Sequence, residues 1–195
     1  QGTTTAMSLQ DGGMLDPVSS YMILPEVKDP KYWWGGHIWN DNLKTNRFLY
    51  SFVANAGTEG LFYNADLAKP EELRSFDDLL NPKWKGKIIG YDPTIAGVAR
   101  NVLWYLYMNK ALGPEFISKL YGDMQLTLSR DHRQLVDWLA AGKASVCVPC
   151  DDAELANAKE QRLPVESASQ TLKEGDYIAG GQGVISLITP APHPH

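Results

Sequence analysis

Apolar residues along the middle of the chain recur with a helical period, separated by short runs with the length of strands. Ile95, Val98, Val102, Leu103 and Leu106 fall on one face of a helix expected over about Ala96–Ala111. Leu135, Val136 and Leu139 form the apolar stripe of another, with Ser129 placed to cap its start and Gly142 to stop it. Further helices are expected at about Pro114–Tyr121 and at Ala153–Gln161, where Asp151 and Glu154 have capping-box spacing. A short helix is expected near Pro70–Leu80. The strand-like runs are Phe48–Ala54, Gly60–Tyr63, Lys87–Tyr91, Gln125–Leu128, Ser145–Val148, Tyr177–Ala179 and Val184–Ile188. Strands alternating with helices define a layered α/β domain.

The flanks are less regular. Gln1 to about Pro25 is broken by Gly12–Gly13, Pro17 and Pro25, and Lys28–Asn42 is a loop-like, aromatic stretch holding Tyr32, Trp33, Trp34 and Trp39. The 195 residues are 44% hydrophobic and 21% charged, enough for a core without disulfide staples. A formal charge of −5 argues against a nucleic-acid surface. No stretch approaches the roughly 18–20 apolar residues that span a membrane. Gln1–Thr5 has neither the charged nor the apolar region of a signal peptide. The chain contains no G-x-S-x-G, H-E-x-x-H or P-loop motif, so no enzyme class is expected.

Several stretches together resemble the bacterial extracellular solute-binding proteins of the iron(III)-binding type. Phe62-Tyr63-Asn64-Ala65-Asp66-Leu67 is similar to that family's YNxDL segment, and Ser75 to Ile88 to its SWDDLLDPKWKGKI signature. Asp92-Pro93 to Gly97 resembles the turn that follows, Val136–Gly142 its LAAGK helix, and Gly180–Gly183 with Ala191–Pro194 its stretch near the hinge. The resemblance implies a periplasmic-binding-protein-like II lobe, a three-layer α/β/α fold with a mixed sheet. Residues 1–25 would then be a remnant of the first lobe, 26–188 the second lobe with its hinge strands, and 189–195 a tail. It also implies solute capture for an ABC importer, with a small-molecule solute and the transporter permease as partners and no cofactor. The expected location is periplasmic or extracellular, with a signal peptide in the full-length precursor and membrane contact through the permease or a lipid anchor.

The candidate ligand contacts lie mainly at three strand-to-helix junctions, where free backbone N–H groups favour anions. Tyr91, Asp92, Thr94 and Gly97 form the first, with capping as the bland role of Asp92 or Thr94. Ser129 and Arg130 form the second, a hydroxyl and a guanidinium suited to a carboxylate, phosphate or phosphonate. Asp151 and Asp152 form the third, with capping the bland role of Asp151. The iron-binding members place adjacent tyrosines near this junction. Cys150, Asp151 and Asp152 stand here instead, so ferric ion held by a tyrosine pair is not expected and no metal ligands are assigned. Gln182, within Gly180–Gly183, is a further candidate at a hinge or plain turn. Trp33, Trp34 and Trp39 could stack on a solute or pack.

Cys147-Val148-Pro149-Cys150 is formally a C-x-x-C. Redox motifs of that form need an exposed first Cys at a helix N-terminus. Cys147 lies in an expected strand, which favours a buried strand thiol beside a loop thiol. A thiol–disulfide redox protein is the enzymatic alternative, and a sensor or receptor lobe a third reading. His37, His132, His193 and His195 show no convincing metal-ligand spacing.

Overall fold

The computed structural model describes residues 8–32, 38–40, 49–56, 60–95, 98–168, 172–175 and 178–189, with the backbone alone for 38–40, 49–56, 98 and 178–184. The sequence-stretches Trp33–Trp34, His37, Gly97 and Ala191–His195 lie outside these residues, as does the side chain of Trp39. The chain divides into two compact units, residues 1–56 with 178–195, and residues 57–177. Residues 26–56 and 178–188 fall in the first of these units, with the terminal segments.

The first unit contains a four-stranded antiparallel sheet in the order β1-β9-β3-β2, built from β1 (Leu15–Asp16), β2 (Ile38–Asn40), β3 (Leu49–Ala56) and β9 (Ile178–Ile188). The strands expected at Tyr177–Ala179 and Val184–Ile188 are one strand. Gly180 pairs with Val53 and Val184 with Ser51, so Gly181, Gln182 and Gly183 form a bulge within the strand's ladder. Pairing with β3 carries the chain through glycines that locally favour a turn.

The second unit is a five-stranded mixed sheet between two helix layers. Its order is β6-β5-β7-β4-β8, with β4 (Phe62–Asn64), β5 (Ile88–Tyr91), β6 (Thr127–Ser129), β7 (Val146–Cys147) and β8 (Val165–Ser167). β5 runs parallel to β6 and β7, whereas β4 is antiparallel to β7 and β8. The helices are α1 (Val98–Met108), α2 (Gly113–Asp123), α3 (His132–Ala140) and α4 (Asp152–Glu160). Val102 and Leu106 of α1 and Phe116 and Leu120 of α2 bury against Leu61, Tyr63, Ile88 and Val146 on one face. Leu135, Val136 and Leu139 of α3 and Leu155 and Ala158 of α4 bury against Phe62, Ile89 and Cys147 on the other. The alternation of strand side chains thus feeds two cores from one sheet.

Local chemistry sets the element ends, in several places away from the expected positions. α1 stops at Met108 because Asn109 Oδ1 accepts the Ala111 N–H at 2.9 Å, turning the chain. β6 begins at Thr127 rather than Gln125, since Gln125 has φ 55, outside the strand region. Pro70–Leu80 is two 3₁₀ turns, Pro70–Glu72 and Phe76–Leu80, divided by Ser75, whose Oγ accepts the Asp77 N–H. α3 ends as expected: Gly142 has φ 71, and Lys143 N and Gly142 N donate to Trp138 O and Leu139 O. Buried Asn64 adds a lock, its Nδ2 donating to Leu139 O at 2.8 Å while Oδ1 accepts the Asp66 N–H.

The specific Ser75–Ile88 run is structural. Trp84 is buried with Lys83 Nζ 4.0 Å over its ring, and Asn81 Oδ1 accepts the Lys83 N–H. Ser75 Oγ also donates to Glu174, tying the run to residues 172–175.

Candidate functional site

The three parallel strands β6, β5 and β7 are neighbours, so their C-terminal ends open side by side. Two backbone bonds tie the junctions together: Asp92 N donates to Ser129 O at 2.9 Å and Tyr91 N to Pro149 O at 3.1 Å. This is the end of a parallel sheet where α/β folds commonly hold ligands.

Asp92 organises the first two junctions. Its Oδ1 accepts from the Thr94 N–H at 2.9 Å and the Thr94 hydroxyl at 2.7 Å, and its Oδ2 accepts from Arg130 Nε at 2.9 Å. The Thr94 hydroxyl and amide, then Arg130, hold the carboxyl down at about 2, against an ordinary 3.8. A carboxylate depressed in the folded state stabilises above its ordinary value, and that contribution is lost as pH falls through about 2. A carbon-detected titration of the Asp92 carboxyl is expected to show a midpoint near 2, moving upward in Thr94→Val. A wild-type midpoint near 3.8 would contradict this geometry.

The Arg130 side chain is 71% exposed and pairs with Asp92 through Nε. Arg100 Nη2 donates to Thr94 O at 3.2 Å and steadies the same loop. Tyr91 stacks on His132 with ring centroids 3.8 Å apart and planes within 2°.

Ser129 is not the cap of α3. It is buried at the end of β6, where its Oγ donates to Gln134 Oε1 at 2.7 Å and accepts the Asp131 N–H. The cap is Asp131, whose Oδ1 accepts the Gln134 N–H at 3.1 Å. Pairing of Ser129 with Tyr91 holds it in the strand, so the first residue free to cap lies two positions on.

At the third junction Asp151 caps α4, accepting the Ala153 N–H at 2.8 Å, while Glu154 takes a contact from Asn157 at 3.5 Å. The expected cap is therefore present and the reciprocal capping-box bond is replaced by a contact within the helix. Asp152 is exposed, its carboxyl raised by desolvation and then by Asp151. Among the described residues no hydrogen bond or ion pair joins Asp151 or Asp152 to Asp92 or Arg130. Cys147 and Cys150 are joined as a disulfide, Cα atoms 5.9 Å apart and both residues buried, a pairing state the sequence leaves open.

The structure thus brings Tyr91, Asp92, Thr94, Ser129 and Arg130 into one contact network and sets Asp151 and Asp152 at the next junction. Gly97 lies outside the described residues, and Gln182 belongs to the first unit with its side chain undescribed. Reading the sequence missed His132 and Tyr121. Burial, then the Asp92 charge, pushes the Tyr121 hydroxyl up to about 12. His132 had only its position two residues after Arg130 as a signal, and Tyr121 had none.

Several solved structures share this fold at low sequence identity. Iron-bound HitA from Pseudomonas aeruginosa is 14% identical with a TM-score of 0.59, over 99% of this chain and 58% of that one. AfuA from Actinobacillus pleuropneumoniae, with fructose-6-phosphate bound, is 20% identical with a TM-score of 0.61, over 98% and 57%. A two-component system protein mediating signal transduction is 18% identical with a TM-score of 0.62, over 100% and 58%. The chain spans less than three-fifths of the length of each. A search of curated protein sequences gives no match. The fold is a lobe of the periplasmic-binding-protein II type, three layers around a mixed sheet. The chain belongs to the bacterial extracellular solute-binding protein family, whose profile matches residues 2–195.

Proposed function

We propose that this chain supplies one solute-contacting lobe of an extracytoplasmic binding protein that feeds an ABC importer, and that its solute carries an anionic group. The observation that carries the reading is Arg130, paired through Nε with Asp92 and largely exposed at the second of three adjoining strand-to-helix junctions. A guanidinium fork suits bidentate acceptance by a carboxylate, phosphate or phosphonate. The N-terminus of α3, beginning two residues later, adds favourable N–H groups. Exposed Asp152 can accept from a hydroxyl or amine of the same solute.

The family and the fold neighbours support the transport reading, and the fructose-6-phosphate held by AfuA is one example of such a solute. Ferric ion bound through a tyrosine pair is disfavoured, because Cys150, Asp151 and Asp152 occupy the matching junction. Capture would proceed by closure of this lobe and a second one on the solute. The closed form would dock on a permease. A disulfide persists best in an oxidising compartment, in keeping with a periplasmic or extracellular location. Burial of both cysteines leaves a redox partner no access, which argues against thiol–disulfide exchange as the activity.

The test is a thermal-shift screen of the chain and of Arg130→Ala against inorganic phosphate, sugar phosphates, phosphonates, ferric ion, polyamines and thiamine. A solute at about 100 times its dissociation constant adds about 2.7 kcal/mol, a rise of roughly 5–11 °C for a chain of this size. Loss of a charge-assisted pair is expected to weaken an anionic hit about 10- to 100-fold in Arg130→Ala. Equal binding by the variant, or hits confined to polyamines and thiamine, would count against the reading.

A further inference from the structure

We propose that His132 is a solute-contacting residue of this site: its imidazole holds its proton on Nε2 and offers that N–H to the anionic group that Arg130 receives. The inference rests on the reading of the site given above, and adds a neutral, directional donor beside Arg130.

His132 is the first residue of α3, and the loop leading to it is tied three times to the loop after β5. Asp92 N donates to Ser129 O at 2.9 Å, and Asp92 Oδ2 accepts from Arg130 Nε at 2.9 Å. Tyr91, one residue before Asp92, stacks on His132 with ring centroids 3.8 Å apart. The imidazole is thereby brought to the same strand ends as the Asp92–Arg130 pair. Both rings of the stack are half-buried.

The two ring nitrogens of His132 meet different surroundings. Nδ1 is buried and has no hydrogen-bond partner. Nε2 also lacks a partner among the described residues, yet it is not one of the buried unpartnered atoms and so keeps contact with solvent. In a neutral imidazole one nitrogen donates and the other accepts. A proton on Nδ1 would make an orphaned buried N–H, the rarer kind of unpaired group in a folded chain. A proton on Nε2 makes a donor that water or a solute can satisfy. The structure therefore selects the Nε2–H tautomer, which leaves a donor open at the site. A carboxylate has two oxygens, both engaged by a bidentate guanidinium, whereas a phosphate group keeps a third for His132. Inorganic phosphate is accordingly the probe.

The test is nitrogen-detected spectroscopy of the imidazole in the whole chain, free and titrated with inorganic phosphate, beside phosphate binding by His132→Phe and Arg130→Ala. Phenylalanine keeps a flat ring against Tyr91 and removes both nitrogens. The free chain is expected to show a protonated Nε2 and an unprotonated Nδ1 at neutral pH, and phosphate is expected to shift the Nε2 signal. His132→Phe is expected to weaken phosphate binding about 3- to 10-fold at an unchanged melting temperature. Should that variant unfold, the tautomer and the Nε2 shift still decide. A proton on Nδ1 overturns the proposal before any solute is added. Phosphate binding that needs Arg130 but leaves the Nε2 signal and the His132→Phe affinity unchanged overturns it too, with the reading of the site intact. Binding indifferent to both substitutions, or no binding by the unaltered chain, counts against the reading and the inference together.

Discussion

Replacing Gly90 by alanine is expected to destabilise the second unit by about 3 kcal/mol, lowering the melting temperature by roughly 6–12 °C. A Cβ at this position would lie 2.1 Å from the Val148 carbonyl oxygen and 3.0 Å from its carbon, and the obstacle is backbone. Neither strand can move aside cheaply. On one side of Gly90, Ile89 O accepts the Val148 N–H, and on the other Tyr91 N donates to Pro149 O. Relieving the overlap stretches both bonds, each worth about 0.5–1.5 kcal/mol net, and disturbs the cores on either side. Because the second bond also links the first and third junctions, solute affinity should fall with stability. Denaturant melts check the prediction through a lowered midpoint at unchanged slope. A loss below about 1 kcal/mol would show that β5 and β7 are not held this closely.

Phe62→Ala is expected to cost about 3–5 kcal/mol, the largest effect of a single side chain in the unit. Phe62 is 0% exposed in the central part of the sheet, pairing with Cys147 on one side and Ser167 on the other. Its ring packs in the core of α3 and α4, while its neighbours Leu61 and Tyr63 belong to the opposite core of α1 and α2. Truncation leaves a cavity that the paired backbone on both sides cannot collapse to fill. Met108→Ala is the matched control: Met108 is 69% exposed at the end of α1 and should change stability by no more than about 0.5 kcal/mol. Similar losses in the two variants would contradict the three-layer core.

Helix faces were legible because their period is local. Leu135, Val136 and Leu139, and likewise Val102 and Leu106, are buried as their spacing implies. The family resemblance was legible too, yet its most specific run does not touch the site. Ser75–Ile88 packs Trp84 and closes turns, so its specificity is that of a fold. What stayed hidden depends on distant pairing. Ser129 and Asp131 are both good caps, and only the pairing of Ser129 with Tyr91, 38 residues earlier, decides between them. The glycines at 180–183 favour a turn until β3 supplies a partner strand. The Asp92–Arg130 pair and the Tyr91–His132 stack join loops that follow different strands, and only the parallel order of β6, β5 and β7 brings them together. Oxidation of Cys147 and Cys150 has no sequence signal beyond a spacing shared with many reduced pairs.

The central claim is that an anionic solute binds where β5, β6 and β7 end. The most direct measurement is a titration of the isotope-labelled chain with the strongest anionic hit from the screen, followed through its backbone amide signals. The account predicts that the largest shifts fall on residues 91–94, 129–133 and 150–153, and that Arg130→Ala removes them at the same solute concentration. Shifts centred elsewhere, or unchanged in Arg130→Ala, would contradict it.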